Sequence, residues 1–293
     1  MQNTGRTAVK PFEYFAPQSL EKACALVAEF GATGRILAGG TDVLVELRKS
    51  PAESPGAIID VGRISTLRGI EESGDSIIIR PLTTHTELLQ SELIGRYAAL
   101  LKMAAAGIGS PLIRNRGTVG GNIMNAAACA DTVPPLMALN AEVKLRSATG
   151  ERVVSLARFF VKPYVTVAER NEILIEIRFP KLPANAQGSF VKLGRRNALS
   201  ISRLSVAAIL QKSGSGVIVD ARIVPGAAFP KWQRIPEAEK LLLGQKGSKE
   251  SCIQAGKKVA DEMISLTGRR WSTEYKEPVI AVLVRRALES CIG

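Results

Sequence analysis

Two diglycine loops, one around residue 40 and one around residue 120, constrain this chain more than any other feature of it. The first is Ile36-Leu37-Ala38-Gly39-Gly40-Thr41-Asp42-Val43 and the second is Arg114-Asn115-Arg116-Gly117-Thr118-Val119-Gly120-Gly121-Asn122-Ile123. Paired glycines let backbone amides approach an anion with no Cβ in the way, and successive amides can form a concave nest. A hydroxyl stands beside each pair, Thr41 and Thr118, and can donate to a phosphate oxygen. Neither loop is a P-loop, since no Lys-Ser or Lys-Thr follows the glycines, and neither is the GxGxxG fingerprint. Taken singly, a diglycine is more often a tight turn that needs positive φ. Two of them converging would grip a pyrophosphate from both sides.

The surrounding pattern is mixed. Ser19 caps a helix with Leu20, Ala23, Val27 and Phe30 on one face, and Gly31 stops it. A short strand over 35–38, a helical stretch over 43–49 and an apolar strand over 57–61 form a compact βαβ-like unit. A hairpin over 67–80 turns near Ser73-Gly74. Thr84 and Glu87 have capping-box spacing and open one helix carrying Leu89, Leu93, Tyr97 and Leu101 at four-residue steps. After a stretch dense in Gly, Asn and small residues, strands are expected over 141–146 and 172–179. In the latter Ile173, Ile175, Ile177 and Phe179 alternate with Leu174, Glu176 and Arg178. Residues 181–188 suit a linker, with a boundary near 183. Beyond it come three strands (189–194, 203–211, 217–224) and then three helices (near 235–243, 250–266 and 278–291), the α+β order.

Several chemistries are disfavoured. The single histidine, His85, falls in the first turn of a predicted helix and reads as a surface or capping residue. Cys24, Cys129, Cys252 and Cys291 lie far apart without a CxxC pair, which suits reduced thiols and not a zinc site or disulfide frame. Cys129 reads as a small buried hydrophobe. Hydrolytic triads and zinc chemistry are therefore poorly supported, and no catalytic residue or metal ligand is assigned. Binding groups without obvious acids and bases fit a cofactor that carries the reaction itself. The net charge of +12 attracts polyanions. The basic residues are scattered and aromatics make up only 5%, so nucleic acid is not the expected partner. An anionic dinucleotide or acidic partner subunits use the charge equally well. No apolar run approaches the roughly 20 residues of a membrane span. The polar start, Met1 to Lys10, lacks an apolar signal core, so a cytoplasmic protein is expected.

The segments AGGTDVLVELR (38–48) and IRNRGTVGGNIMNAAACADTVPPLMALNAEV (113–143) resemble the signature of the FAD-binding medium subunits of the molybdenum hydroxylases, of xanthine dehydrogenase and carbon monoxide dehydrogenase type. Phe190 to Ala198 resembles the start of their carboxy-terminal domain. The resemblance implies an α+β chain. Residues 1–182 would form the two-lobed FAD-binding fold of the vanillyl-alcohol oxidase type, with lobes of about 1–62 and 63–182. Residues 183–293 would form a small α+β domain, a three-stranded sheet plus helices. It implies that Ile36, Leu37, Ala38, Gly39, Gly40, Thr41, Asp42 and Val43 wrap the FAD diphosphate. Thr118, Val119, Gly120, Gly121 and Asn122 would supply the opposite loop.

The resemblance also places Asp131 near the adenosine half of FAD, where a carboxylate can accept from ribose hydroxyls; a rival reading has Asp131 cap the turn that follows it. Ile108 matches a position near the cofactor, Leu174 or Ile175 a backbone contact in a strand, and Lys192 a lysine reaching the flavin region. Ile201 falls where some relatives place a Tyr over the isoalloxazine, with ordinary core as its plainer reading. Arg114 and Arg116 suit either phosphate or a partner subunit. The implied function is an electron-transfer subunit. A large partner carrying molybdopterin oxidises substrate, and a small partner with 2Fe–2S clusters passes electrons to the FAD held here and on to NAD or another acceptor. The alternative is a self-contained FAD-dependent oxidoreductase of the same fold. The scattered cysteines imply no iron–sulfur cluster in this chain.

Overall fold

The computed structural model describes residues 10–196 and 199–293; Met1 to Val9, and Asn197 and Ala198 at the end of the third segment, lie outside them. Ser19 accepts from the Lys22 N–H at the start of the helix Leu20–Phe30, and Gly31, at φ 47°, ends it. That helix buries Ala23, Cys24, Leu26 and Val27. The strands Gly34–Leu37 and Ala57–Asp60 pair in parallel. Glu13–Phe15 joins the far side of Ala57–Asp60 and makes a three-stranded sheet. That strand has only three residues and no alternation, so nothing local announces it. The helix Val43–Lys49 links the two longer strands, which places the first diglycine loop where the strand Gly34–Leu37 ends.

The second sheet is antiparallel, in the order Ile70–Ser73, Ser76–Ile79, Ile173–Pro180, Glu142–Arg146, Glu151–Ser155. Its hairpin turns through Gly74 at φ 56°. The central strand departs from simple alternation, because its pairing with Glu142–Arg146 slips between Leu174 and Glu176. A bulge moves every later side chain to the other face. Ile173 and Ile175 therefore pack with the first sheet and its helix, whereas Leu174, Ile177 and Phe179 enter the main core. One strand thus ties two cores together.

The expected single helix after Thr84 is three: His85–Gln90, Glu92–Tyr97 and Ala99–Ala106. Thr84 and Glu87 do form the capping box. Ser91 then leaves the helical region and recaps the next segment by accepting from the Ile94 N–H, the competition with backbone bonding that serine offers. Ala98, at φ −152°, makes the second break.

The carboxy-terminal sheet runs Ala186–Leu193, Leu204–Lys212, Ile218–Gly226, all antiparallel. Its first strand begins inside the stretch expected to be linker. The helices Lys249–Thr267 and Thr273–Ile292 pack on each other, and a Cβ at Gly256 would lie 2.4 Å from the Ala281 carbonyl oxygen. Glycine is what permits that approach. Pro278 lies inside the last helix, which starts at Thr273, not at its first turn as read from the sequence. Among the described residues no helix is long and apolar enough to cross a membrane.

Candidate functional site

The two diglycine loops touch. A Cβ built on Gly39 would lie 1.9 Å from the Arg116 carbonyl oxygen and 3.2 Å from the Gly117 Cα. Between and beside the loops opens a cleft of about 960 Å³, at the upper end for a small-molecule site. Ile36, Ala38, Gly39, Gly40, Thr41, Asp42 and Val43 line one wall. Thr118, Gly120, Gly121, Asn122 and Leu174 line the other.

The loops do not contribute symmetrically, which corrects the expectation of inward-facing amides on both. In the second loop Val119 N–H donates to Thr83 O at 2.9 Å, Gly120 N–H to Pro81 O at 2.9 Å and Asn122 N–H to Thr118 O at 3.0 Å. Gly121 N–H donates to the Thr118 hydroxyl at 3.0 Å, the N-cap bond of the helix Val119–Asn125. Those donors are spent. Gly120 is glycine because Pro81 presses on it, a Cβ falling 2.4 Å from the Pro81 Cβ. In the first loop the N–H groups of Gly39, Gly40, Thr41 and Asp42 have no acceptor among the described residues. Gly40 takes φ 79°, which turns the chain so that the run continues into the helix Val43–Lys49. Four consecutive unpaired amides in a loop that lines a cleft are chemically suited to seat an anion.

The remaining expected residues fall elsewhere. Leu37 packs beneath Gly40, Val119 is fully buried in the main core and Ile175 is in the first-sheet core. Asp131 and Lys192 form a second cluster that does not line the cleft. Lys192 Nζ donates to Asp131 Oδ2 at 2.7 Å and to Gly107 O at 2.8 Å, and the Ser202 hydroxyl donates to the other Asp131 oxygen. Burial pushes the Asp131 carboxyl up, and Lys192 and Ser202 oppose that. Asp131 caps nothing, since the helix Val133–Ala138 has Thr132 at its N-cap with no side-chain bond. Ile108 adjoins Gly107, and its carbonyl accepts from Arg114, which folds onto its own loop. Ile201, beside Ser202, is 76% exposed and so is not core. Cys129 is only partly buried and so is not the buried hydrophobe expected. Its thiol is pushed up by burial and by Asp131, with Asp42 of the first loop adding to the shift.

His85 overturns its surface reading. Its residue is 3% exposed, it borders the cleft, and its Nδ1 has no hydrogen-bond partner. Thr84 and Glu87 do the capping, while His85 N–H donates to Gly117 O at 3.1 Å and draws the first turn under the second loop. No local spacing signals this. Burial, then the Arg114 charge, lowers its pKa from 6.5 to about 4. As pH falls through 6.5 the unfolded chain takes a proton that the folded chain refuses until about pH 4. Stability should therefore drop by about 3 kcal/mol across that window from this residue. Urea unfolding of the wild type and His85→Phe at pH 7 and pH 4 measures it; equal pH dependence in both would refute the assignment.

Residues 10–182 match the family model described as FAD binding domain in molybdopterin dehydrogenase, and 189–291 match CO dehydrogenase flavoprotein C-terminal domain. The chain belongs to the FAD-binding subunits of the molybdenum hydroxylase family. This FAD-binding subunit is 32% identical to the nicotine 6-hydroxylase medium subunit of Paenarthrobacter nicotinovorans, over 94% of this chain and 95% of the relative. It is 32% identical to the carbon monoxide dehydrogenase medium chain of Hydrogenophaga pseudoflava, over 95% and 96%. The xanthine dehydrogenase FAD-binding subunit of Escherichia coli O157:H7 is 29% identical, over 96% of each. Among solved structures, carbon monoxide dehydrogenase from H. pseudoflava superposes with a TM-score of 0.89 at 32% identity, covering 96% of this chain and 97% of that one. The fold expected from the resemblance, a two-lobed α+β flavin fold followed by a small domain with a three-stranded sheet, is the fold of the FAD-binding subunit.

Proposed function

We propose that this subunit holds FAD in the cleft, its diphosphate on the free N–H groups of Gly39 to Asp42, and relays electrons within a molybdenum hydroxylase complex. The observation that carries the reading is that run of unpaired amides where the two loops meet. The residues present fit the cofactor. The amides suit a diphosphate, Thr41 adds a hydroxyl, and Asn122, whose side-chain oxygen accepts from Thr132, has its amide nitrogen left to donate. Ile36 and Leu174 add apolar wall that excludes water. When bound, FAD supplies the exchange of electrons between one-electron carriers and a two-electron acceptor. The chain binds and orients it, and among the described residues no group of His, Cys, Asp and Glu could hold a metal ion.

In this reading residues 1–182 are the FAD-binding unit, with lobes of about 1–62 and 63–182, and 183–293 are the carboxy-terminal domain. A large molybdopterin subunit oxidises substrate, a small subunit with 2Fe–2S clusters delivers the electrons, and NAD or another oxidant receives them. The relatives named as medium subunits of hydroxylases and dehydrogenases support this arrangement. Four unpaired thiols suit the reducing cytoplasm. The full chain mixed with FAD should retain flavin in about equimolar amount through gel filtration, capture both partner subunits, and hydroxylate nothing by itself. Failure to retain flavin, or substrate turnover by the isolated chain as a self-contained flavoenzyme would show, sinks the proposal.

A further inference from the structure

His85 is the chain's one histidine and lies at the joint of the two loops. The segment carrying it is stitched to the second loop on both sides, His85 N–H to Gly117 O at 3.1 Å and Val119 N–H to Thr83 O at 2.9 Å. The backbone that carries the ring is therefore anchored, and the ring itself is buried. A Cβ on Gly117 would come within 3.2 Å of the ring Cδ2 and 3.5 Å of Nε2, so glycine there keeps the Nε2 edge uncrowded. The opposite nitrogen, Nδ1, is buried without a partner. A neutral imidazole carries one proton, on one nitrogen or the other. Leaving a buried N–H without an acceptor is costly, which favours a bare Nδ1 and a proton on Nε2. Burial and the neighbouring Arg114 charge keep the ring neutral.

We propose that His85 is a ligand-binding residue of the flavin cleft, an uncharged donor whose Nε2–H bonds to an oxygen of the phosphate–ribityl segment of the bound dinucleotide. The inference rests on the flavin reading and deepens it. The free amides of the first loop seat the anion, and His85 supplies a directed bond from beneath the second loop, whose own amides are largely spent. This gives the second loop a part in binding that its backbone does not offer.

A lone histidine makes the test direct. The full chain labelled with ¹⁵N-histidine should show one imidazole in the Nε2–H form near neutral pH. Equimolar FAD should shift the Nε2 signal and leave Nδ1 unprotonated. In parallel, His85→Phe should weaken FAD binding about tenfold, the worth of one such bond. His85→Gln, which can still donate from nearby, should stay within about threefold of wild type. Bound flavin with an unmoved imidazole signal, an Nδ1–H tautomer, or equal flavin affinity in the Phe and Gln variants each overturns the role of His85 and leaves the flavin reading standing. Absence of any flavin binding by the wild type overturns both. The labelling experiment needs no substitution, so a variant that misfolds does not weaken it.

Discussion

Gly39→Val should cost the chain its flavin, with affinity for FAD falling about a hundredfold or more. The added Cβ would lie 1.9 Å from the Arg116 oxygen, 2.8 Å from its carbonyl carbon and 3.2 Å from the Gly117 Cα. All three are backbone atoms, so no side chain can swing aside, and the loops must part. Parting them displaces the amides of residues 39–42 from the opposite wall. Loss of two hydrogen bonds to a charged phosphate, at about 1.5 kcal/mol each, already amounts to roughly two powers of ten. Overpacking adds a stability cost of about 1–3 kcal/mol. Gly150→Val is the control, since a Cβ there meets nothing within 4 Å. Flavin titration by fluorescence, with thermal melting of both variants, separates binding from folding. Affinity in Gly39→Val within threefold of wild type would mean that the contact between the loops does not shape the site.

Gly39 and Gly120 also show what was legible in the sequence and what was not. Both were conspicuous as glycines beside hydroxyls, and both do line one cleft. Signals written within three or four residues were readable, such as the Ser19 cap, the Thr84–Glu87 box and the hairpin at Gly74. Their chemistry is complete locally. Which amides remain free was not readable. Gly120 gives its N–H to Pro81 and Val119 to Thr83, partners delivered by the chain's path after the second sheet's hairpin. The bulge at Ile175 was invisible for the same reason, because register is a property of two strands and one strand's alternation cannot show a slip. His85 has the local pattern of a helix-start residue, and only the tertiary bond from its N–H to Gly117 O places that helix start under another loop. Local pattern therefore shows the individual elements and the α+β order of the carboxy-terminal part, and the family resemblance carries the two-lobed fold and the pairing of the loops. The allocation of donors within the cleft needed the tertiary structure.

Lys192→Met tests the other cluster, and should destabilise the fold by about 3–5 kcal/mol. Lys192 reaches Asp131 across 61 residues of sequence, from the first strand of the carboxy-terminal sheet into the flavin domain. Their side chains are 16% and 6% exposed. The bond to Gly107 O extends the same tie. Removing the ammonium strands a buried carboxylate with only the Ser202 hydroxyl, and a carboxyl that burial already pushes up would take a proton instead of staying charged. Adding Asp131→Asn removes the stranded charge and should recover most of the loss, whereas independent sites would show two additive penalties. Urea unfolding of the two single variants and the double variant measures this. Flavin affinity supplies the second axis. A pair that acts as a domain tie loses stability first and flavin only as the fold loosens, while a lysine that touches the cofactor loses flavin at full stability. Lys192→Met with unchanged unfolding free energy and weakened FAD binding would move this residue from the seam between the domains to the cofactor.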